Sequence, residues 1–154
     1  MTAGVEFRRA TVADSDAVAD VYLASFKQAL PSVRLAHDDD DVRGYVRDVL
    51  VAQTECWVAT DEGRIVAMMS LTPGWVGQLY VAPDRLGEGI GRRLLDLAKE
   101  RSAGKLQLWT FQVNDRARRF YEHNGFVAVE FTDGSKNEER EPDIRYLWRH
   151  TAES

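Results

Sequence analysis

The residues best suited to bind a ligand form a glycine-rich turn near the middle of the chain. Gly87, Gly89 and Gly91 alternate with other residues between an apolar segment ending at Val81 and a helical pattern that opens on basic residues. Such a turn points successive backbone N–H groups outward, and the dipole of the following helix adds partial positive charge there. Glycine allows a ligand to approach the backbone closely because it has no Cβ. The pattern predicts an anion site, most plausibly for a pyrophosphate, although a tight turn without a ligand would use the same glycines.

Two familiar phosphate-binding motifs do not fit this turn. The Rossmann pattern needs a third glycine three residues after the second, and Arg92 stands at that place. The P-loop needs Gly-Lys followed by Ser or Thr, and the sequence contains no such run. The turn therefore belongs to neither class of nucleotide site.

A second motif lies downstream of the glycine turn. Residues 114–126 read Asn-x-x-Ala-x-x-Phe-Tyr-x-x-x-Gly-Phe, residues 79–83 read Leu-Tyr-Val-Ala-Pro, and residues 89–95 read Gly-Ile-Gly-Arg-Arg-Leu-Leu. In this order the segments resemble the GNAT N-acetyltransferase superfamily. The resemblance covers about residues 75–132 by motif and the whole chain by the order of its elements. One position departs from the family, which often has Gln or Arg where this chain has Leu86.

The resemblance implies that acetyl-CoA is the cosubstrate and that no metal is needed. It implies two splayed central strands, with the backbone of Leu79, Tyr80 and Val81 along the acetyl-pantetheine arm. Asn114 would hydrogen-bond the pantetheine, and it would also serve as a plain helix N-cap. The residues that would surround the pyrophosphate are Gly87, Glu88, Gly89, Ile90, Gly91 and Arg92. The arginines that flank the phosphate side are Arg85, Arg92, Arg93, Arg116, Arg118 and Arg119.

The resemblance also assigns two catalytic groups. Tyr121 stands where the family places the acid that protonates the departing thiolate, and the backbone N–H of Val81 would stabilise the oxyanion. A thiol has a pKa of about 8.5 and a tyrosine one of about 10, so this proton transfer carries little energetic mismatch. Without the motif, Tyr121 would be interpreted as a core aromatic beside Phe120.

No catalytic carboxylate carries over from the family. Some relatives place a glutamate five residues before the motif asparagine, where this chain has Trp109, and others use a glutamate near the position of Gln78. Two alternatives stay open for the proton that the amine loses. A water held by Gln78 could accept it, or a carboxylate in the loop between the last two predicted strands could do so. The candidates in that loop are Glu138, Glu139 and Glu141.

These features predict an acetyl-CoA-dependent N-acetyltransferase. The acceptor would be a primary amine of a small molecule or a protein N-terminus, and it would attack directly within a ternary complex. The alternative function is a non-catalytic acyl-CoA-binding regulatory module. The expected partner is a small-molecule or peptide amine, with no nucleic acid and no membrane, and a homodimer is compatible with the sequence. The segment of residues 137–143 is either an ordinary charged loop or an acidic rim that attracts a cationic amine.

Composition and periodicity describe the scaffold. The chain has 154 residues, a net charge of −5 and one cysteine, Cys56, which suits a core position in a reducing compartment. The Asp38–Asp41 run after His37 resembles a solvated helix start more than a metal site. No apolar stretch approaches 18 residues, and the start lacks a signal-peptide core, so a cytoplasmic location is expected.

The order of elements predicts an α+β fold. A single domain over residues 1–154 would hold a mixed sheet of about six to seven strands flanked by about four helices. The predicted helices run through residues 17–29, 42–50, 90–98 and 115–124. The predicted strands run through residues 5–9, 56–60, 64–71, 75–81, 105–113, 126–132 and 144–149.

Overall fold

An open sheet of seven strands runs through the computed structural model, which describes residues 4–150. The predicted domain of residues 1–154 thus extends past the described part at both ends. The strands are β1 (Val5–Arg9), β2 (Glu55–Asp61), β3 (Arg64–Thr72), β4 (Trp75–Val81), β5 (Lys105–Phe111), β6 (Val127–Phe131) and β7 (Asp143–Arg149). The helices are α1 (Ser15–Ala29), α2 (Asp39–Tyr45), α3 (Ile90–Arg101) and α4 (Asp115–His123). This arrangement confirms the predicted α+β fold.

The helices begin and end where their flanking residues require. Gly89 precedes α3 in the left-handed conformation (φ 83°), which costs glycine little because it lacks a Cβ. Asn114 caps α4 with its side chain, and Gly125 (φ 90°) follows its end. The second predicted helix is not uniform, because α2 continues as a π-helical segment, Val46–Val51. The apolar period of 3.6 residues does not signal that change of hydrogen bonding.

Two apolar cores lie on the two faces of the sheet. One core packs α3 and α4 against the sheet, with Leu94, Leu108 and Tyr146 fully buried. The other packs α1 and α2 against β2 and β3, and it includes Cys56. Burial raises the pKa of the Cys56 thiol to about 11, so the thiol stays protonated at neutral pH. Among residues 4–150, no helix is both long enough and apolar enough to cross a membrane.

The sheet opens between β4 and β5. The strand order is β1-β2-β3-β4-β5-β7-β6, and every neighbouring pair is antiparallel except β4 and β5. That parallel pair is in register only at Trp75 and Gln107, so the two strands diverge toward their carboxyl ends. Ala82 N–H donates to Val66 O (2.8 Å) on the β3 side. Because backbone groups alternate sides along a strand, the N–H of Val81 faces the gap.

Candidate active site

A cavity of about 1320 Å³ occupies the gap between β4 and β5. Its walls come from α1, β4, the glycine turn, β5, α4 and the loop between β6 and β7. Of the residues predicted to contact acetyl-CoA, taken together with Gln78 and Tyr121, only Glu88 is absent from the wall. Those that line the cavity are Gln78, Leu79, Tyr80, Val81, Gly87, Gly89, Ile90, Gly91, Arg92, Asn114 and Tyr121. The fold thus places the glycine turn and the motif of residues 114–126, which are about 23 residues apart in sequence, around the same cavity.

The glycine turn presents unpaired N–H groups to the cavity. Gly87 (φ 81°) and Gly89 (φ 83°) both adopt the left-handed conformation that favours glycine. The first hydrogen bond of α3 runs from Arg93 N–H to Gly89 O (3.1 Å). The N–H groups of Ile90 and Gly91 therefore precede the helical ladder and have no intrahelical acceptor. Together with the helix dipole, they make a cradle that fits a pyrophosphate.

An ion-pair cluster holds the outer side of this turn. Arg85 Nη2 lies 2.9 Å from Glu88 Oε1 and 3.0 Å from Asp61 Oδ2, at the end of β2. These carboxylates raise the pKa of Arg85 further above its usual range, with the Glu88 hydrogen bond as the main cause. Arg85 is thus already neutralised, and the Glu88 carboxylate faces it rather than the cavity. The role of the Glu88 side chain in this structure is to fix the turn.

The remaining predicted arginines divide into two groups. Arg93 lies over the Phe7 ring, with its guanidinium carbon 4.4 Å from the ring centroid, and Arg118 donates to Gln112 O (3.3 Å). Neither lines the cavity. Arg92, Arg116 and Arg119 do line it, and none has an ion-pair partner within residues 4–150. Positive charge near the turn therefore comes from these three side chains.

Two residues of the α4 motif face the cavity in different ways. The Asn114 Oδ1 accepts from Ala117 N–H (3.1 Å), so its oxygen caps α4 while its amide N–H groups stay available to a ligand. Tyr121 is 8% exposed, and its ring packs against Phe120, Phe126 and Tyr146 at centroid distances of 5.1, 5.7 and 6.2 Å. Its hydroxyl has no hydrogen-bond partner in the described part of the chain.

Burial determines the protonation of Tyr121. It raises the pKa of the phenol above its ordinary value because the low-dielectric surroundings disfavour the charged form. At neutral pH the hydroxyl is therefore protonated and can donate a hydrogen bond. The ring belongs to the core, as the alternative interpretation held, while the hydroxyl opens to the cavity.

A contact from α1 that the sequence did not signal fixes the end of β4. Ser25 Oγ donates a hydrogen bond to Val81 O at 2.7 Å. The carbonyl that would otherwise face the gap is thus occupied, and α1 is tied to the strand beside the Val81 N–H. The two residues are 56 positions apart, and no local motif marks such a pairing.

Aromatic side chains wall the end of the cavity next to α1. Tyr22 and Tyr80 pack with their ring centroids 4.8 Å apart, and Phe26 meets Phe111 edge-on at 6.3 Å. Trp109, from β5, lines the same space and is 43% exposed. Burial raises the pKa of Tyr22 to about 12 and that of Tyr80 well above its usual value. Both phenols are therefore neutral at physiological pH.

The loop of residues 133–143 closes the same end. Of its three candidate carboxylates, only Glu139 lines the cavity. Glu138 instead meets His37 from the α1–α2 loop, with Oε2 and Nε2 2.6 Å apart. Asp38 caps α2 by accepting from Asp41 N–H (2.8 Å), so the acidic run is a helix start. Residues 4–150 contain no cluster of three side chains that could hold a metal ion.

Comparisons with known proteins agree with this geometry. The acetyltransferase (GNAT) domain model matches residues 52–128. A peptidyl-lysine N-acetyltransferase, YiaC of Escherichia coli, is 27% identical over 124 residues, which cover 80% of this chain and 84% of that protein. An uncharacterized N-acetyltransferase of Archaeoglobus fulgidus is 31% identical over 133 residues, covering 76% and 89%. The structure of the PaiA N-acetyltransferase of Thermoplasma acidophilum in complex with coenzyme A superposes with a TM-score of 0.73 at 18% identity, covering 95% and 99%.

Proposed function

Because the chain belongs to the acetyltransferase (GNAT) family and is an acyltransferase, we propose that it transfers an acetyl group from acetyl-CoA to a primary amine of a small molecule or a protein. One observation carries this proposal. The gap between β4 and β5 runs from the glycine cradle to the open Tyr121 hydroxyl within a single cavity. A phosphate-bearing thioester laid along the gap would reach the hydroxyl with its acyl end.

The residues present fit acetyl-CoA. The N–H groups at the start of α3 would bind the pyrophosphate, and Arg92, Arg116 and Arg119 would neutralise its charge. The gap-facing backbone of β4 would pair with the pantetheine, and the Asn114 amide would donate to it. The PaiA relative, which was solved with coenzyme A, supports this choice of cosubstrate.

Each proposed step uses a group of this chain. Bound acetyl-CoA supplies a thioester carbonyl that an amine can attack. The Val81 N–H would donate to the carbonyl oxygen as the carbon–nitrogen bond forms and the carbon–sulfur bond breaks. The Tyr121 hydroxyl would give its proton to the departing sulfur and regain one from solvent. The proton lost by the amine would pass to water beside Gln78, so the acetyl group moves in one direct transfer.

The relative from Escherichia coli bears on the acceptor. Its name assigns it a peptidyl-lysine substrate, which extends our proposal from protein N-termini to lysine side chains. A lysine amine has a pKa of about 10.4 and an N-terminal amine one of about 8, so lysine needs more help in losing its proton. A lysine acceptor therefore needs a stronger proton acceptor at the acceptor end of the cavity, which is the end lined by α1 and the loop of residues 133–143.

The test is acetyl transfer to a defined panel of amines. Each reaction would contain the purified protein, acetyl-CoA and one amine. The three amines are a lysine-containing peptide blocked at its N-terminus, a peptide with a free N-terminus, and phenethylamine. Free thiol and the mass of the acceptor would be followed together. We expect thiol release that depends on the amine and an acceptor heavier by one acetyl group. Tight acetyl-CoA binding without transfer to any amine would instead favour the acyl-CoA-binding regulatory module.

A further inference from the structure

We propose that Glu139 binds the ammonium group of the acceptor, and that the acceptor is a primary amine on an apolar stem with no carboxylate beside the amine. This inference rests on the proposed function and names the substrate class of the same cavity. It assigns one carboxylate to a binding role that the sequence left open among three.

Four other carboxylates around the loop have partners, and Glu141 lies outside the cavity. Glu138 is paired with His37, and Glu130 accepts from Arg145 Nε (2.9 Å). Asp143 accepts from Thr132 and from Asn137 Nδ2, and Asp133 accepts from Ser135 N–H (2.9 Å). Glu139 is half-buried and lines the cavity, and it has no ion-pair partner within residues 4–150. The Glu139 carboxylate therefore remains available to a cationic ligand in the cavity.

The loop holds Glu139 in place. Asn137 donates from Nδ2 to Glu141 O (2.8 Å), and its Oδ1 accepts from Glu141 N–H (3.2 Å), so this side chain bridges the residues on both sides of Glu139. Gly134 packs so closely that a Cβ there would lie 2.4 Å from the Glu141 carbonyl carbon. The loop is therefore a tight structure, and it fixes the backbone from which the Glu139 side chain extends.

The charge of Glu139 affects the pKa values of two tyrosines in the aromatic wall at the acceptor end. Burial is the main reason that the pKa values of Tyr22 and Tyr80 are raised, and the negative charge of Glu139 raises both further. Tyr121 also contributes to the raised pKa of Tyr80, so these groups lie in one neighbourhood that reaches the proposed acid. Neutral phenols cannot cancel a carboxylate charge. Within residues 4–150, Glu139 is the carboxylate of this cavity wall that neither an ion pair nor a hydrogen bond engages, so an incoming ammonium would find a counter-charge here.

The surrounding wall selects the rest of the acceptor. Phe26, Leu30, Leu35 and Phe111 give this end an apolar lining, whereas the unpaired arginines lie at the phosphate end. On the loop itself, Lys136 also lines the cavity, but its side chain is exposed. Its charge acts on Asp133, whose pKa it helps to lower after the hydrogen bonds from Ser135. A carboxylate beside the amine would meet Glu139 and an apolar wall. An aliphatic or aromatic stem, including that of a lysine side chain, fits both features.

The first experiment compares two variants of the same loop. Glu139→Gln removes the charge and keeps the shape, while Glu141→Gln removes an equal charge from a side chain outside the cavity. With phenethylamine, we expect Glu139→Gln to raise the KM for the amine about tenfold or more, since hydrogen bonds to charged groups carry such factors. The KM for acetyl-CoA should stay within about twofold, because Glu139 lies away from the phosphate cradle.

Two further measurements separate binding from long-range attraction. The effect of Glu139→Gln should persist at high salt, because a direct contact is screened less than steering by exposed charge. Calorimetry of phenethylamine binding to the enzyme–coenzyme A complex should show the same loss of affinity without turnover. An equal effect of Glu141→Gln, or an unchanged KM in Glu139→Gln, would overturn the assignment.

The second experiment tests the substrate class with a matched pair of acceptors. Phenethylamine and phenylalanine share the amine and the ring, and only phenylalanine carries a carboxylate beside the amine. We expect wild-type kcat/KM to favour phenethylamine at least about tenfold, and Glu139→Gln to reduce that preference. Equal use of the two amines would overturn the inference while leaving the acetyltransferase activity established. Failure of every amine in the panel would instead overturn the proposed function.

Discussion

The Tyr121 side chain has its ring in the core and its hydroxyl at the cavity. Its ring contacts three other aromatic rings of the core, which fixes the direction of the Cζ–O bond. The hydroxyl makes no hydrogen bond in the described part of the chain, and burial keeps it protonated by raising its pKa. Because the hydroxyl opens to the cavity, a bound ligand atom would accept its hydrogen bond. The proposed ligand atom is the sulfur of the departing thiolate.

Replacing Tyr121 with phenylalanine should therefore impair chemistry more than stability. The variant Tyr121→Phe removes one oxygen and no internal hydrogen bond. We expect kcat to fall by roughly 10²–10⁴-fold, the usual contribution of general acid catalysis, with acetyl-CoA affinity little changed. The loss should shrink for acyl donors with more acidic thiols, because a better leaving group needs its proton less. The measurement is kcat for both enzymes across thioesters of graded thiol pKa.

Tyr146→Phe provides the matched control for this series. Tyr146 packs in the same aromatic cluster, but its hydroxyl donates to Glu122 Oε2 (2.6 Å) and does not line the cavity. Its loss should lower the melting temperature without altering the dependence on the leaving group. If the plots for wild type and Tyr121→Phe run parallel, Tyr121 is not the acid.

Ser25 is a positioning residue for the end of β4. Ser25→Ala would leave the Val81 carbonyl without its partner beside the reacting groups. We expect kcat to fall roughly tenfold, equivalent to about 1.4 kcal/mol, with the KM for acetyl-CoA nearly unchanged, and Ser25→Thr to restore most of the rate. Ser15→Ala on the same helix is the control, since the buried Ser15 Oγ has no hydrogen-bond partner. A merely structural role of Ser25 would lower stability and leave kcat as it is.

At the level of elements, the site depends on the divergence of two strands and on the turn that follows one of them. β4 pairs fully with β3 but touches β5 at a single register position, so one edge of β4 is free to bind a ligand. α3 starts directly after the glycine turn and aims its N-terminus at the end of that gap. The two features act together, because a ligand lying along the β4 edge reaches the α3 N–H groups.

Substitution within the glycine turn should affect the cosubstrate rather than the fold. Gly89→Asp places a Cβ and a carboxylate at the proposed pyrophosphate cradle. We expect acetyl-CoA affinity to fall at least tenfold, or about 1.4 kcal/mol, as measured by calorimetry. Gly74→Asp is the control, because Gly74 shares the positive φ (81°) of Gly89. Gly74 has open space around it and lies before β4, at the opposite end of the strand from the glycine turn. Unchanged affinity in Gly89→Asp would place the cosubstrate elsewhere.

For the molecule as a whole, the features that the sequence predicted are those formed within one continuous segment of the chain. The strand-turn-helix around Gly89 and the motif at residues 114–126 lie in continuous segments, and the fold class followed from the order of such segments. The sequence could not predict contacts between distant segments, such as Ser25 with Val81 or His37 with Glu138, which is 101 residues away. It also could not show that Glu88 turns to Arg85, or that Glu139 alone of three loop carboxylates lines the cavity. The roles of these residues stay predictions.

The central claim is direct transfer between two substrates held together in one cavity. No cysteine lines that cavity, and the one cysteine of the chain, Cys56, is buried in the other core with a raised pKa. A covalent acetyl-cysteine intermediate therefore has no suitable nucleophile. We therefore expect acetyl-CoA and the amine to be bound at the same time.

The most direct test is initial-rate kinetics with acetyl-CoA and the best amine of the panel varied together, combined with intact-protein mass spectrometry in the absence of amine. We expect double-reciprocal lines that intersect, thiol release only when the amine is present, and a protein mass unchanged by acetyl-CoA. Parallel lines, together with a protein that gains one acetyl group before the amine is added, would contradict direct transfer.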